Sequence, residues 1–172
     1  DFCASRRQGT GDCLSACYFV RLAQGLQSPH DTAVEEHSMN KLTPTDVDLL
    51  LKRFHGFHDA QYQGIELVPP TAPNEKFSCR ISLLAHDHSN ESVAKVVFLL
   101  NGIQDFHIRY NDVFDYPNVR DDIAIKTFGG KVFFDLGFAA TEPQSPDDIR
   151  QSNIYFVGTT VWFDETTTAG NQ

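Results

Sequence analysis

The sequence predicts an α+β domain in which one N-terminal amphipathic helix packs on a curved, mostly antiparallel sheet of about seven strands, similar to a half-open barrel. Three observations lead to this fold class. Residues 43–54 carry apolar side chains at the helical period, and the chain after them carries runs in which apolar and polar residues alternate, as in strands. Short turn-forming sequences such as Asn101-Gly102 and Gly129-Gly130 separate several of these runs.

The helix predicted over residues 43–54 has recognisable start and stop signals. Thr43 is a residue type that caps helices, and Pro44 suits the first helical position. Gly56 follows the helix and predicts its end. Between these signals one apolar stripe recurs at the spacing i, i+3, i+4 and i+7, formed by Val47, Leu50, Leu51 and Phe54.

Seven runs after the helix are predicted to be strands: residues 61–68, 77–83, 93–100, 106–110, 123–128, 131–138 and 153–164. The second run alternates cleanly, and its predicted buried face is formed by Phe77, Cys79, Ile81 and Leu83. Asn101-Gly102 predicts a hairpin between the third run and the fourth, and Gly129-Gly130 predicts one between the fifth and the sixth. Ser145 before Pro146 predicts a short helical turn, and Gly158 predicts a bulge or bend in the last strand.

The sequence changes character at Met39, the only methionine. Before it, residues 1–38 contain three of the four cysteines and no sustained period of either kind. We therefore interpret residues 1–38 as a poorly ordered upstream or vector-derived segment, residues 39–165 as a single α+β domain and residues 166–172 as a frayed tail. A secretory signal within residues 6–20 is the alternative for the first segment, although its apolar part is short.

The composition favours a protein partner over nucleic acid or a membrane. With 23 acidic and 14 basic residues the net charge is −9, which repels phosphate backbones, so we expect no nucleic-acid binding. No stretch approaches the roughly 20 apolar residues of a membrane-spanning helix, so no membrane partner is expected. After Met39 the only cysteine is Cys79, which is typical of the reducing cytoplasm. An acidic surface suits a basic partner protein through electrostatic steering.

Residues 111–122 are the candidate partner-binding segment, called the acidic loop below. Four carboxylates surround two aromatic side chains in this loop, a combination that suits recognition of a basic protein. The residues predicted to contact the partner are Asp112, Phe114, Asp115, Tyr116, Asp121 and Asp122. A calcium-binding loop is disfavoured because the EF-hand spacing with its glycine and terminal glutamate is absent. The remaining alternative is a solvated connection.

Two histidine-containing sequences are the candidates for catalysis. His55, His58 and Asp59 lie at the junction of the predicted helix and the first strand, and they provide the ligand and base types of a metal-assisted hydrolase. His86 and His88 are spaced to share one strand face and would supply further ligands. Capping at the junction and a solvated hairpin tip are the structural interpretations, and we favour them over catalysis. No cofactor is predicted, because the sequence has no Walker A motif, dinucleotide fingerprint or nucleophile elbow.

From Leu50 to the end of the chain, the order of elements resembles a group of small bacterial domains that includes immunity proteins of polymorphic-toxin systems. The resemblance rests on three short stretches: Gly56-Phe57-His58-Asp59-Ala60 leading into Ile65-Glu66-Leu67, the strand ending Leu100-Asn101-Gly102-Ile103, and the hairpin from Ile123 and Ile125 to Val132 and Phe134. It implies a non-enzymatic cytoplasmic protein that binds a cognate toxin and blocks it. The predicted function is therefore an immunity-type inhibitor that occludes a basic partner such as a toxin, with a metal-assisted hydrolase as the alternative.

Overall fold

The structure is a computed structural model, and it describes residues 20–22, 39–109, 118–119, 121–137 and 142–167. The helical elements are α1 (Pro44–Arg53), a short 3-10 helix (His55–Phe57) and α2 (Pro146–Arg150). The strands are β1 (Val20–Leu22), β2 (Asn40–Lys41), β3 (Gln61–Val68), β4 (Ser78–Asp87), β5 (Ser92–Asn101), β6 (Asp105–Ile108), β7 (Ala124–Phe128), β8 (Lys131–Asp135), β9 (Ile154–Gly158) and β10 (Thr160–Thr167). Within the described ranges, no helix has the length and apolar character that crossing a membrane requires.

The fold is mostly β, and the predicted α+β fold with a single curved sheet of about seven strands is wrong. The strands form two sheets. Sheet A has six strands in the order β1-β3-β4-β5-β10-β2, and sheet B has four strands in the order β6-β9-β8-β7. Neighbouring strands are antiparallel except β1 and β3, which are parallel. The helix predicted over residues 43–54 is present as α1, but it accompanies two sheets rather than one.

The domain boundary at Met39 stays a prediction, because residues 1–19 and 23–38 lie outside the described part of the chain. Val20–Leu22, from the segment before that boundary, pair with Ile65–Leu67 of β3. At the other end of the chain, β10 includes the first two residues of the predicted tail, and the rest of that tail lies outside the described residues.

Two corners, at which the chain passes from one sheet to the other, account for the error in fold class. β5 belongs to sheet A and β6 to sheet B, so Asn101-Gly102 is a corner and the hairpin predicted there is wrong. The single strand predicted over residues 153–164 consists of β9 in sheet B and β10 in sheet A, separated by Thr159. The two corners are in contact, because the Thr159 N–H and Oγ1–H both donate to the Asn101 carbonyl, at donor–acceptor distances of 2.9 and 3.0 Å.

Three predictions are confirmed, and each depends only on residues that are close together in the sequence. Helix α1 begins at a capping box formed by Thr43 and Asp46, and α2 begins at a capping box formed by Ser145 and Asp148. Gly129-Gly130 joins β7 to β8 in an antiparallel hairpin. In each case the residues that signal the element are the residues that form it.

One hydrophobic core fills the space between sheets A and B. Alternate residues of β4 and β5 contribute to it and are 0% exposed, namely Cys79, Ile81, Leu83, Val96, Phe98 and Leu100. Phe98 of sheet A meets Phe134 of sheet B, with ring centroids 5.0 Å apart. Val47 and Leu50 of α1 are buried in the same core. Phe77, predicted to share the buried face of β4, is 47% exposed and lies before that strand begins.

A smaller apolar cluster covers the other face of sheet B. Ile149 of α2 is 0% exposed and packs with Phe133 of β8 and with Tyr155 and Val157 of β9. All five residues of β9 are buried, because the core covers one face of this strand and the α2 cluster covers the other.

Replacing Gly102 by alanine is expected to lower the free energy of unfolding by about 2–3 kcal/mol. Gly102 has a φ of +65°, where an L side chain is strained, and a Cβ there would lie 2.5 Å from Thr159 Oγ1. The methyl group would displace the hydroxyl that joins the two corners. Urea denaturation followed by circular dichroism measures the loss.

Gly129→Ala is the matched control for this experiment. Gly129 also has a positive φ, +56°, but a Cβ there meets nothing within 4 Å. Only the backbone strain of about 1–2 kcal/mol is therefore expected in the control. Equal losses in the two variants would show that the contact between the corners does not stabilise the fold.

Candidate functional site

The turn between α1 and β3 is built around Phe57. Its side chain is 0% exposed, and its ring centroid lies 4.8 Å from that of Phe54 and 5.4 Å from that of Phe98. Three non-glycine residues of the turn have left-handed backbone conformations, His55 (φ 50°), Phe57 (φ 62°) and Asp59 (φ 63°). Such strain persists only where the surrounding structure fixes it, and burial of Phe57 fixes it here. The polar residues on either side of Phe57 are consequently held at the surface.

The described end of the acidic loop is hydrogen-bonded to this turn. The Ile123 N–H donates to the Gly56 carbonyl at 2.9 Å. The Val119 carbonyl accepts from the Asp59 N–H at 2.9 Å, and the Val119 N–H donates to the Ala60 carbonyl at 2.7 Å. Two sequences that were separate candidate sites therefore lie side by side.

Three carboxylates lie where the turn meets the loop, and we call Asp59, Asp121 and Asp122 the acidic surface. The Asp59 side chain is 77% exposed, Asp122 is exposed and Asp121 is half-buried. Asp122 lies against the α-carbon of Gly56, because a Cβ added to that glycine would come within 2.4 Å of the Asp122 carboxyl carbon. The other residues predicted to contact a partner lie outside the described part of the chain, namely Asp112, Phe114, Asp115 and Tyr116.

The histidines are grouped differently from the prediction. His58 remains beside Asp59, with 3.7 Å between Nε2 and Oδ2. His55 instead packs against His88, with ring centroids 5.2 Å apart, and His88 packs against His86 with centroids 4.6 Å apart. We call His55, His86 and His88 the histidine cluster. Its member His55 is followed in the chain by Gly56, against whose α-carbon Asp122 lies.

Among the described residues, no three or more histidine, cysteine, aspartate or glutamate side chains are arranged to hold a metal ion. The ligand set predicted for a metal-assisted hydrolase, His55, His58 and Asp59, is divided between two contacts and does not converge on one point. The junction is held by main-chain bonds, including the one from the His58 N–H to the His55 carbonyl at 3.2 Å.

An ion-pair network fixes the tip of the β4–β5 hairpin to the end of α1. Asp87, the last residue of β4, is 1% exposed, and its Oδ2 accepts from Arg53 Nε at 3.0 Å. Arg53 Nη1 also donates to Glu165 of β10 at 3.0 Å, and Asp87 Oδ1 accepts from the Ser89 N–H at 2.9 Å. The hydrogen bond from Arg53 is the main cause that holds the pKa of Asp87 well below its usual range, against the opposing effect of burial. Arg53 therefore joins the end of α1 to the hairpin through Asp87 and to β10 through Glu165.

Sequence reasoning missed this network, although the strand period contains a signal for it. Buried residues occupy every second position of β4, and Asp87 is the next inward position in that series. A carboxylate at an inward position requires a cationic partner, and Arg53 in the last turn of α1 supplies it. The predicted solvated hairpin tip agrees with the exposure of His86 and His88 but not with the burial of Asp87.

Comparisons of the chain with protein-family models, with curated proteins and with solved structures found no match.

Replacing Asp87 by asparagine is expected to lower the free energy of unfolding at pH 7 by about 2–3 kcal/mol, because Arg53 loses its charged acceptor. The folded-state pKa of Asp87 is lowered, so its stabilising effect is complete above the unfolded-state pKa of about 4 and is lost as the pH falls below that value. Urea denaturation at pH 7, 5, 4 and 3 measures the effect. The difference between wild type and variant should be constant from pH 7 to 5 and shrink below pH 4.

Asp48→Asn provides the control for the Asp87 experiment, since Asp48 is an exposed residue of α1. A change within about ±0.5 kcal/mol is expected at every pH. A difference between wild type and Asp87→Asn that stays constant down to pH 3 would contradict the lowered pKa.

Proposed function

We propose that this chain is a non-enzymatic binding protein that recognises a basic partner protein through the acidic surface and the acidic loop. The observation that carries the proposal is the set of hydrogen bonds between the α1–β3 turn and the end of the acidic loop. These bonds hold the turn that carries Asp59 against the segment that carries Asp121 and Asp122. Carboxylates grouped in this way near the surface attract a basic partner over a distance of about one Debye length, roughly 8–10 Å at physiological salt.

The aromatic residues of the acidic loop provide the second part of the proposed interaction. Phe114 and Tyr116 lie in the sequence between the carboxylates that steer the partner. Large aromatic side chains ringed by charge are the residue types that anchor protein–protein interfaces. In this proposal the carboxylates govern the rate of association, and the aromatic residues govern the rate of dissociation.

The partner that we propose, from the resemblance of the sequence to bacterial immunity-type domains, is a cognate toxin. The bound protein would cover the active site of the toxin, and a basic active site of the kind that binds nucleic acid would complement the acidic surface. The proposed compartment is the cytoplasm, where such a complex would form before the toxin acts.

Neutralising the acidic surface is expected to slow association with the partner. The double variant Asp59→Asn with Asp121→Asn should reduce the association rate constant about tenfold at low salt, with a smaller effect at high salt because screening removes steering. Asparagine tolerates the left-handed backbone of Asp59, so the turn is kept. Biolayer interferometry with a partner identified by co-purification measures both rate constants.

Asp147→Asn on α2 is the matched control, because its side chain is also highly exposed, at 84%, but lies on the far face of sheet B. The association rate should be unchanged in this variant. The control removes one charge and the double variant removes two, so a control that raises the barrier to association by half as much as the double variant would show that the effect comes from net charge and not from the acidic surface.

A metal-assisted hydrolase is the alternative function, and metal analysis separates the two. The contact of His55 with His88 and of His88 with His86 is the observation that favours the alternative. For a binding protein we expect zinc and manganese well below one ion per chain after purification without chelator, as measured by inductively coupled plasma mass spectrometry. One equivalent of metal that is lost in His88→Ala would contradict the binding proposal and support the hydrolase.

A further inference from the structure

Strand β6 lies at one end of sheet B, and its outer edge is open. It pairs with β9 on one side, and within the described ranges no strand pairs with it on the other. An unpaired edge presents main-chain N–H and C=O groups on which a further strand can assemble. What this edge can bind therefore depends on which main-chain groups face outwards and on the side chains beside them.

Phe106 and Ile108 direct their main-chain groups to the open edge. Ile108 lies opposite Ile154 of β9, and the next residue, Arg109, donates its N–H to the Asn153 carbonyl at 2.8 Å. In an antiparallel pair, residues that exchange hydrogen bonds with the neighbouring strand alternate with residues that do not. Because Arg109 bonds towards β9, this alternation turns the N–H and C=O groups of Ile108 and Phe106 outwards.

The side chains of this edge form an apolar row on one face of sheet B and a charged row on the other. Phe106 faces the core, where it stacks on Phe156 with ring centroids 6.1 Å apart, yet it is 48% exposed. Ile108 packs against the same core and is half-buried. On the opposite face the Asp105 side chain is 43% exposed, and Arg109 is exposed. Both rows are therefore incompletely covered.

We infer that β6 pairs with β6 of a second copy of this chain, antiparallel to it, about a two-fold axis at His107. The sequence Asp105-Phe106-His107-Ile108-Arg109 is complementary to itself when it is reversed. Asp105 of each copy then lies opposite Arg109 of the other, and Phe106 of each copy lies opposite Ile108 of the other. Cross-strand pairs of opposite charge, and of aromatic with β-branched side chains, stabilise a sheet.

The register that matches the charges also matches the hydrogen bonds. With His107 facing its own counterpart, Phe106 of each copy exchanges N–H···O=C bonds with Ile108 of the other, so every outward main-chain group of both residues is paired. A shift of the register by one residue would call on main-chain groups that already bond to β9. A shift by two residues would separate Asp105 from Arg109. The pairing joins sheet B of one copy to sheet B of the other in one continuous sheet.

The contact is small, so the association is expected to be reversible. Pairing of two short strands buries less surface than the roughly 1,200–2,000 Å² of a standard interface, and a dissociation constant of about 10–100 µM is expected. The interface includes none of Asp59, Asp121 and Asp122. It therefore goes beyond the proposed function and does not depend on it.

Sedimentation equilibrium of the full chain at pH 7.5, at concentrations from about 5 to 500 µM, tests the inference. The mass of wild type should rise with concentration from the 19.3 kDa of one chain towards twice that value. A wild type that keeps the mass of one chain at every concentration overturns the inference, and it leaves a strand of a different protein as the occupant of this edge.

Reversing either charge of the edge identifies the register. Asp105→Arg and Arg109→Glu should each weaken self-association about tenfold at low salt, because each places two pairs of like charges across the interface. Asp105→Arg removes a contact of 3.5 Å with Arg150, which keeps its ion pair with Asp147 at 3.1 Å. Circular dichroism checks that both variants are folded.

An equal mixture of these two variants should associate as wild type does, because every charged pair in the mixed dimer again joins opposite charges. Each substitution changes the net charge of −9 by two units, so both variants remain negative and overall attraction does not explain a recovery. A mixture of folded variants that associates no better than either variant alone would contradict the antiparallel register and overturn the inference.

Phe106→Lys and Leu49→Lys separate the edge from exposed apolar surface in general. Both positions carry exposed apolar side chains, at 48% and 64%, but Leu49 lies on α1. A charge in the apolar row of an edge opposes strand pairing, so Phe106→Lys should remain a monomer where wild type is mostly dimeric. Leu49→Lys should associate as wild type does. Equal self-association of the two variants would overturn the inference, and the charge-reversal variants carry the test if Phe106→Lys does not fold.

Discussion

The contact between the two corners, in which the Asn101 carbonyl accepts two hydrogen bonds from Thr159, determines how both sheets are assembled. One corner takes the chain from sheet A to sheet B and the other takes it back. Because the corners touch, β5 and β10 lie side by side in sheet A, and β6 and β9 lie side by side in sheet B. The backbones approach so closely that a Cβ on Gly158 would lie 2.8 Å from the Asn101 oxygen. One contact thus sets the register on both sides of the core.

The candidate site lies at the opposite end of β5 from this contact. Strand β5 runs from Ser92, just after the hairpin tip, to Asn101 at the corner. Ten residues of strand span about 30 Å. The surface groups near the hairpin tip can therefore vary in charge without affecting the contact that sets the sheet register. The tip depends instead on its own anchor, the ion pair between Arg53 and Asp87.

Sequence reasoning succeeded where an element is formed by the residues that signal it, and failed where two distant segments decide the outcome. Thr43 and Ser145 cap their helices as predicted, and Gly129-Gly130 closes its hairpin. Asn101-Gly102 is an equally strong turn signal. A turn between two sheets and a turn within one sheet use the same residue types, so this signal does not distinguish a corner from a hairpin. Continuous apolar character from β9 into β10 likewise gives no sign that the strand changes sheets at Thr159, because both strands face the same core.

The candidate site shows the same division between what neighbouring residues decide and what distant segments decide. His55 and His58 are close in sequence, yet the ring that His55 contacts belongs to His88, on another element. Asp87 lies between two histidines in the sequence, but it points inward to Arg53, whose hydrogen bond holds the pKa of the Asp87 carboxyl well below its usual range. The alternation of β4 places Asp87 inward, but its partner comes from α1, 34 residues earlier in the chain, and no pattern within the hairpin identifies it.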